Sequence, residues 1–255
     1  TIFFKADKNR ISGDLWTKIM PDNYWGVGYL RGRSPTAPDS TTRYQRSWFQ
    51  ALLKFTHHFG KNFYGGVLLD LNQTVATDIN DTMAADPNIA KDGTRIFNAS
   101  LGLLFQYDTR DVTVNAYKGM LVEVSSNVYG KYIGGDNSYT VVILDYRQYQ
   151  RIVRDGRTLA WQVKSRIGIR DVPWPEMSFL GTPFDLRGYR WGQYRDKAML
   201  LGIAEYRHMF MRKRPRKDGE MMSRFGFVTW IGTGTIAPDI GSMKHWLPNG
   251  GVGLR

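Results

Sequence analysis

The sequence predicts an all-β fold: a transmembrane antiparallel β-barrel with about twelve strands in this chain and a long loop folded into the lumen. Hydrophobic and polar residues alternate over segments of roughly 13–17 residues, whereas strands of soluble proteins have about 5–6. Charged residues lie in the middle of the polar faces, as expected where a membrane barrel encloses a wet lumen. Short turns and long loops join the segments alternately. A soluble antiparallel β protein is the alternative that alternation alone leaves open.

The alternating segments follow one another along the chain. Within 157–171, for example, the apolar Val163 stands between the polar Gln162 and Lys164. Because successive side chains of a strand point to opposite faces, each segment has one apolar and one polar face. The segments are three weaker candidates at 1–7, 10–20 and 23–31, followed by 43–59, 63–79, 96–108, 118–133, 138–153, 157–171, 198–214, 221–237 and 250–255.

The connections predict which end of the barrel faces the periplasm. Outer-membrane barrels have short periplasmic turns and longer extracellular loops. The longest connection, 172–197, carries many arginine and aromatic residues, and we expect it to fold back inside the barrel. The connection at 111–117 is long for a turn, and that at 134–137 is short for a loop. The remaining connections are short turns at 60–62, 154–156 and 215–220 and long loops at 32–42, 80–95 and 238–249.

Composition narrows the class of protein further. The chain has 35 Lys and Arg against 23 Asp and Glu, a net charge of +12, and no cysteine. The lack of cysteine excludes disulfides and thiolate metal sites. No run of about 18 apolar residues occurs, so the sequence predicts no transmembrane helix. We expect a single barrel domain over 1–255.

The sequence contains no recognisable catalytic or metal-binding motif. Neither G-x-S-x-G nor H-E-x-x-H occurs. His57 and His58 are adjacent in a predicted strand and point to opposite faces, so they cannot bind one metal together. We therefore expect no enzyme activity, no cofactor and no metal site. Nucleic acid is not expected as a partner, because the basic residues do not gather on one face with interleaved aromatics.

Charged residues on the predicted inner faces suggest what the lumen contains. One interpretation is a solvated wall whose charges pair with one another, and the other is a lumen that attracts anions. The predicted lumen charges are Lys54, Asp70, Asp108, Glu123, Asp145, Arg147, Lys164, Arg166 and Arg170.

Three motifs resemble those of one protein family. The tetrapeptide Leu186-Arg187-Gly188-Tyr189 is followed by Arg195 and Asp196, and then by Glu205 on the next segment. The run 104–111, followed by Lys118-Gly119, and the ending 251–255 are the second and third motifs. In this order they resemble the barrel of the bacterial surface antigen superfamily, which includes BamA, TamA, two-partner-secretion transporters and patatin-fused barrels.

The resemblance implies a 16-stranded barrel in which the arginine of the inward loop is anchored to acidic residues of the inner wall. Glu205 shares its predicted face with Arg207 and should point inward, so we expect Arg187–Glu205 to be the loop anchor. Gly188 would allow a tight turn beside the wall, and Tyr189 completes the motif. By comparison with the family, we expect the domain to lack strands at both ends of a 16-stranded barrel, with no periplasmic repeat (POTRA) domain in this chain. A closed 12-stranded barrel is the alternative.

The sequence departs from the family on the following strand. The family often has a second carboxylate there, whereas this chain has Trp230 near that position. Asp108, Glu123 and Asp145 are the candidates for a replacement partner of Arg187, and the spacing does not choose among them.

The family implies a role in inserting other barrel proteins into the outer membrane of a Gram-negative bacterium, or in translocating a passenger. A passive, partly plugged pore that favours anions is the alternative. The expected partners are outer-membrane lipid or lipopolysaccharide, client barrel proteins or a passenger, and a periplasmic partner or fused domain.

Overall fold

The computed structural model describes residues 2–4, 8–33, 42–154, 156–212 and 222–255 of the chain. In these residues eleven strands form one antiparallel sheet and two more form a separate hairpin, which confirms the all-β prediction. The strands are β1 (Ile2–Phe4), β2 (Asn9–Asn23), β3 (Arg43–Gly60), β4 (Phe63–Thr77), β5 (Arg95–Asp108), β6 (Gly119–Tyr129), β7 (Tyr139–Arg151), β8 (Arg157–Arg170), β9 (Ser178–Leu180), β10 (Tyr194–Asp196), β11 (Ala198–Met211), β12 (Met222–Ala237) and β13 (Leu247–Leu254).

The sheet follows chain order with one interruption. Each strand from β1 to β8 pairs with the next, and β8 then pairs with β11, which continues to β12 and β13. The hairpin of β9 and β10 leaves the sheet. The strands from β2 to β12 in the main sheet have 11 to 18 residues, and about 9–11 residues of a tilted strand cross the hydrocarbon layer.

In this sheet the apolar face is exposed and the polar face is buried, which is the reverse of the arrangement in a soluble protein. On β4, Asp70 is only 5% exposed and lies on the inner face, whereas Val67 is 52% exposed on the outer face. Strands between lipid and a wet lumen require this arrangement. Other apolar side chains exposed on the outer face are Leu53, Phe55, Leu101, Leu103, Phe105, Ile231 and Val252, and other polar side chains buried inside are Asn72, Asn98, Ser100, Asn127 and Asp145.

Short helices occupy some of the connections. They are α1 (Tyr29–Arg33), α2 (Asp81–Ala84) and α3 (Pro87–Asp92). The side chains of Asn80 and Asp86 accept backbone N–H groups at the starts of α2 and α3, which satisfies donors that have no partner within the helix. Within the described part of the chain, no helix is long and apolar enough to cross a membrane.

The connection between β8 and β11, residues 171–197, folds against the inner face of the sheet. It contains a 3-10 turn at Trp174–Glu176 and the β9–β10 hairpin. Leu180 and Leu186 of this loop are fully buried and pack with Leu201 of the wall. We call residues 172–197 the inner loop. The sequence placed this loop in the lumen, and the structure agrees.

One predicted strand is wrong. Residues 23–31 do not form a strand but a bend that leads into α1. Gly26 and Gly28 have left-handed φ angles of 86° and 94°, which end an extended chain, and Tyr24 and Trp25 are buried. The predicted turn at 215–220 and most of the predicted segment 1–7 lie outside the described residues.

Val163 and Lys164 are adjacent on β8 and test which face is wet. The chain has no cysteine, so Val163→Cys and Lys164→Cys each introduce a single thiol. Val163 faces outward and Lys164 lines the interior. We expect a membrane-impermeant maleimide to label only the Lys164→Cys variant, and a lipid-soluble maleimide to label the Val163→Cys variant in membranes. The reverse labelling pattern would contradict the assigned faces.

Candidate functional site

Trp174 fixes the start of the inner loop. Its side chain is fully buried, and its ring lies edge-on to Tyr24 and Tyr44, with ring centres 5.5 and 6.0 Å away. The Trp174 backbone N–H donates to an Asp92 carboxylate oxygen at 2.9 Å, and its indole N–H donates to the Gly93 carbonyl at 2.9 Å. The loop therefore contacts the ends of β2 and β3 and the connection between β4 and β5, across the lumen from its own root on β8.

Arg195 supports Trp174 from the other arm of the hairpin. The side chain is 3% exposed, and its guanidinium donates to the Trp174 carbonyl at 3.2 Å. It also lies 5.7 Å from the ring centres of Tyr24 and Trp174 and 6.0 Å from that of Phe179. A buried guanidinium is stabilised by such aromatic faces, since their negative potential attracts the cation.

Arg195 and Asp196 also lie where α1 meets the inner loop. The Gly28 N–H donates to the Arg195 carbonyl at 2.8 Å, and the Gln193 side chain donates to the Gly32 carbonyl at 2.8 Å. Asp196 is 4% exposed, and burial raises the pKa of its carboxyl. Its carboxylate accepts the N–H of Lys197 at 2.8 Å. These contacts hold the connection that follows β2 against the hairpin.

Arg187 lies at the opposite end of the loop, against the inner wall. Its guanidinium donates to a Glu205 oxygen at 2.7 Å, and its centre lies 4.4 Å from the Trp230 ring centre. The second Glu205 oxygen accepts two bonds from Arg207, at 3.0 and 2.9 Å. Glu205 and Trp230 are paired residues on β11 and β12. The Glu205 carboxylate therefore binds both arginines, and the Trp230 ring also contacts Arg187.

The expected replacement carboxylate for Arg187 is absent from its contacts among the described residues. Asp145 bonds instead to Arg147, and Asp108 bonds to Arg110. The Trp230 ring occupies the position where the family often has an acid. A cation–π contact offsets part of the missing charge, because the indole face is negative and carries little desolvation cost.

The other motif residues differ in what they do. Leu186 is fully buried in the apolar cluster beneath the loop, and the Tyr189 hydroxyl donates to the Pro248 carbonyl of β13 at 2.9 Å. The Tyr189 N–H donates to the Leu186 carbonyl at 3.0 Å, so the chain does turn at Gly188, but a Cβ there would meet no atom within 4 Å. Gly181 is the glycine that the geometry requires: its φ is 98°, and a Cβ there would collide with the Arg190 carbonyl.

Asp185 shapes the tip of the loop, and the sequence analysis missed it. Its carboxylate accepts the Gly181 N–H at 3.1 Å, the Thr182 N–H at 2.6 Å and the Thr182 hydroxyl at 2.7 Å, and it also accepts the Leu186 N–H. The run Thr182-Pro183-Phe184-Asp185 is typical of a side-chain-stabilised turn and could have revealed it.

Most of the predicted lumen charges lie on the inner faces, and several form pairs. Asp70 accepts bonds from Gln50 at 3.0 Å and from the Tyr129 hydroxyl at 2.6 Å. Arg166 donates to the Glu176 carbonyl at 2.6 Å, which joins the inner loop to β8. Lys54 shares the inner face of β3 with Gln50. Glu123 lies on β6 and Lys164 on β8, each opposite Asp145 of β7 in the strand register.

Arg170 does not join the lumen charges. It is the last residue of β8, its side chain is exposed, and its φ of 73° ends the strand alternation. The period of two places a side chain on the inner face only while the backbone stays extended.

The inner loop and the wall line a half-open cavity of about 820 Å³. It extends between the wall of β2 and β3 and the wall of β7, β8 and β11. Within the ranges that the structure describes, no group of three or more His, Cys, Asp and Glu side chains could hold a metal ion. Cationic and aromatic side chains dominate the lining, including Lys18, Trp48, Arg147, Lys164, Phe184, Arg187 and Arg207.

The reversed sheet and the anchored inner loop define an outer-membrane β-barrel with an inward-folded loop. The family model described as the Omp85 superfamily domain matches residues 5–225, and the chain belongs to the Omp85 superfamily. The resemblance to BamA-like barrels is thus confirmed, and the protein lies in the outer membrane of a Gram-negative bacterium.

A solved structure gives the same fold. The crystal structure of BamA from Haemophilus ducreyi lacking POTRA domains 1–3 matches with a TM-score of 0.65 and 14% sequence identity, over 99% of this chain and 53% of that chain. This chain thus spans about half the length of that relative. No curated protein sequence matches the chain.

The shared carboxylate predicts an order of effects among variants. Arg187→Ala leaves Glu205 paired with Arg207, so we expect it to lower the free energy of unfolding by only about 1–2 kcal/mol. Glu205→Gln should lower it more, since both guanidinium groups lose their charged partner. Urea unfolding in a non-ionic detergent measures both effects. Arg95→Ala, which removes an exposed arginine at the start of β5, is the matched control.

A double-mutant cycle isolates the aromatic contact. We expect Arg187→Ala and Trp230→Ala to be non-additive by about 0.5–1 kcal/mol, because the cation lies over the ring. Additive effects would contradict a direct contact between the two side chains.

Glu176 predicts a pH dependence of the inner loop. Burial raises the pKa of its carboxyl above the ordinary value, and the Arg166 guanidinium only partly opposes this. The folded state therefore binds the proton more tightly than the unfolded state, so stability falls as pH rises from the unfolded pKa through the raised folded pKa. Glu176→Gln should weaken this fall at pH values above the ordinary carboxyl pKa of about 4.5. If the Glu176→Gln variant had the same pH dependence of the urea midpoint as the unchanged protein, Glu176 would not be the group responsible.

Proposed function

We propose that this barrel acts in the insertion and assembly of outer-membrane proteins, or in the translocation of a passenger. The observation that carries the proposal is the path of the inner loop. It contacts Glu205 and Trp230 on one wall and Tyr24 and Tyr44 on the other. A brace of this kind would keep distant wall strands in place while other strands rearrange.

In this proposal an incoming strand adds to a sheet edge through main-chain hydrogen bonds. The inner loop then preserves the register of β8, β11 and β12 during the exchange. The barrel domain of 1–255, with its inner loop at 172–197, would meet outer-membrane lipid, client barrels or a passenger, and a periplasmic partner or fused domain. We propose no catalytic role and no cofactor for this chain.

A passive pore that favours anions is the second candidate. The cationic lining of the cavity favours it, because fixed positive charge raises the local anion concentration. The inner loop counts against it, since the loop occupies much of the lumen and would keep the conductance low.

Reconstitution into liposomes separates the two functions. We expect the protein to accelerate the folding of a small client barrel, measured by heat-modifiable gel mobility, and to show low, flickering conductance. Arg187→Ala should reduce the acceleration several-fold, because the inner loop loses one of its wall contacts, while Arg95→Ala should not. High steady conductance without any effect on client folding would contradict the proposal and support the pore.

A further inference from the structure

We propose that the interior cavity is a binding site for a small anionic amphiphile: a molecule with one carboxylate, sulfonate or phosphate group on an aromatic or acyl body. The cavity of about 820 Å³ is within the range of sites that take drug-sized ligands, about 300–1,000 Å³. This inference does not depend on the proposed assembly role, because it concerns only the side chains that line the cavity.

The net positive charge of the lining favours an anionic ligand. Among the described residues, seven cationic side chains line the cavity, against the three acids Glu176, Asp185 and Glu205. The seven are Lys18, Arg46, Arg147, Lys164, Arg166, Arg187 and Arg207.

The acids near the cavity are already engaged. Asp185 is bonded to the backbone of its own turn, and Glu205 is shared by two arginines. Outside the lining, Asp145 is held by Arg147 at 2.6 Å and also accepts from Gln162 at 2.8 Å. The acidic side chains therefore leave part of the positive charge of the lining uncompensated.

Two lysines carry that excess. Lys18 on β2 and Lys164 on β8 have no carboxylate within 4 Å in the part of the chain that the structure describes. The Lys18 ammonium lies 4.9 Å from the Trp16 ring centre and 6.0 Å from that of Trp48. The two lysines reach the cavity from different walls. Asp145 lies opposite Lys164 in the strand register, but its oxygens are bonded to Arg147 and Gln162, so an acidic group inside the cavity would meet two ammonium groups that are not in an ion pair.

The exposed aromatic side chains of the lining favour an apolar group on the same ligand. Phe184, at the tip of the inner loop, is 82% exposed although it lines the cavity. Trp16 and Trp191 are 47% and 45% exposed there. Aromatic surface facing water inside a lumen is unfavourable, and it is covered when an apolar group packs against it. A simple inorganic anion would leave these rings uncovered.

Equilibrium dialysis of the purified protein in a non-ionic detergent tests the site. The probes are naphthalenesulfonate and laurate, with naphthylmethylammonium and inorganic phosphate as comparisons, each measured against protein-free micelles. We expect retention of the sulfonate or of laurate, weak retention of phosphate and none of the cation. Tighter binding of laurate would indicate an acyl ligand, and tighter binding of the sulfonate an aromatic one.

Variants connect the binding to the cavity. Lys18→Gln combined with Lys164→Gln should weaken probe binding at least tenfold, and Phe184→Ala should weaken it several-fold. Lys61→Gln combined with Lys131→Gln removes the same charge from exposed connections and should have no effect. Heat-modifiable gel mobility confirms that each variant is folded. Equal binding by the two double variants, equal binding of anion and cation, or phosphate bound as tightly as the sulfonate would overturn the proposal.

Discussion

Glu205 joins the inner loop to the barrel wall, and the arrangement of the lumen depends on it. Its carboxylate receives Arg187 from the loop on one oxygen and Arg207 from its own strand on the other. The Arg187 guanidinium stays partly exposed to the water of the lumen, so the contact with Glu205 contributes modestly to stability and mainly fixes where the loop meets the wall. The indole of Trp230 supplies the remaining support. With this end held, Leu186 fills the apolar cluster beneath the loop, and the hairpin reaches the far wall at Trp174.

The inner loop is therefore held at two ends by different chemistry. At Arg187 the contact is charged and partly accessible to water. At Trp174 it is aromatic and dry, with two hydrogen bonds from one tryptophan to the connection before β5. Charged contacts in a wet lumen weaken with salt, whereas buried aromatic packing does not. High salt is therefore expected to weaken the contact at Arg187 more than the contact at Trp174.

The sequence predicted the wall well because alternation is a local property. Val163 and Lys164 are neighbours, and a period of two is enough to separate lipid from lumen. It also paired Arg187 with Glu205, because the loop motif and the alternation of faces on β11 both indicated this pair. It failed at 23–31, where Gly26 and Gly28 have left-handed φ angles. A glycine in the sequence does not by itself show whether its φ angle is left-handed. The sequence located Trp230 where the family often has an acid, but no local pattern shows that the indole will lie beneath the Arg187 guanidinium.

The contacts of Trp174 were also beyond reach of the sequence. Its partners Tyr24, Tyr44 and Asp92 come from segments that are far away along the chain, and only the curvature of the sheet brings them together. The run Val172-Pro173-Trp174-Pro175 indicates a stiff segment without indicating what it packs against.

The contacts at both ends of the inner loop make it a fixed brace and not a mobile plug. Hydrogen–deuterium exchange of the protein in lipid, read by mass spectrometry over 172–197, measures this directly. We expect peptides containing Trp174 and Leu186 to exchange as slowly as the wall strands β8 and β11. Exchange as fast as that of the exposed turn at 60–62 would contradict it.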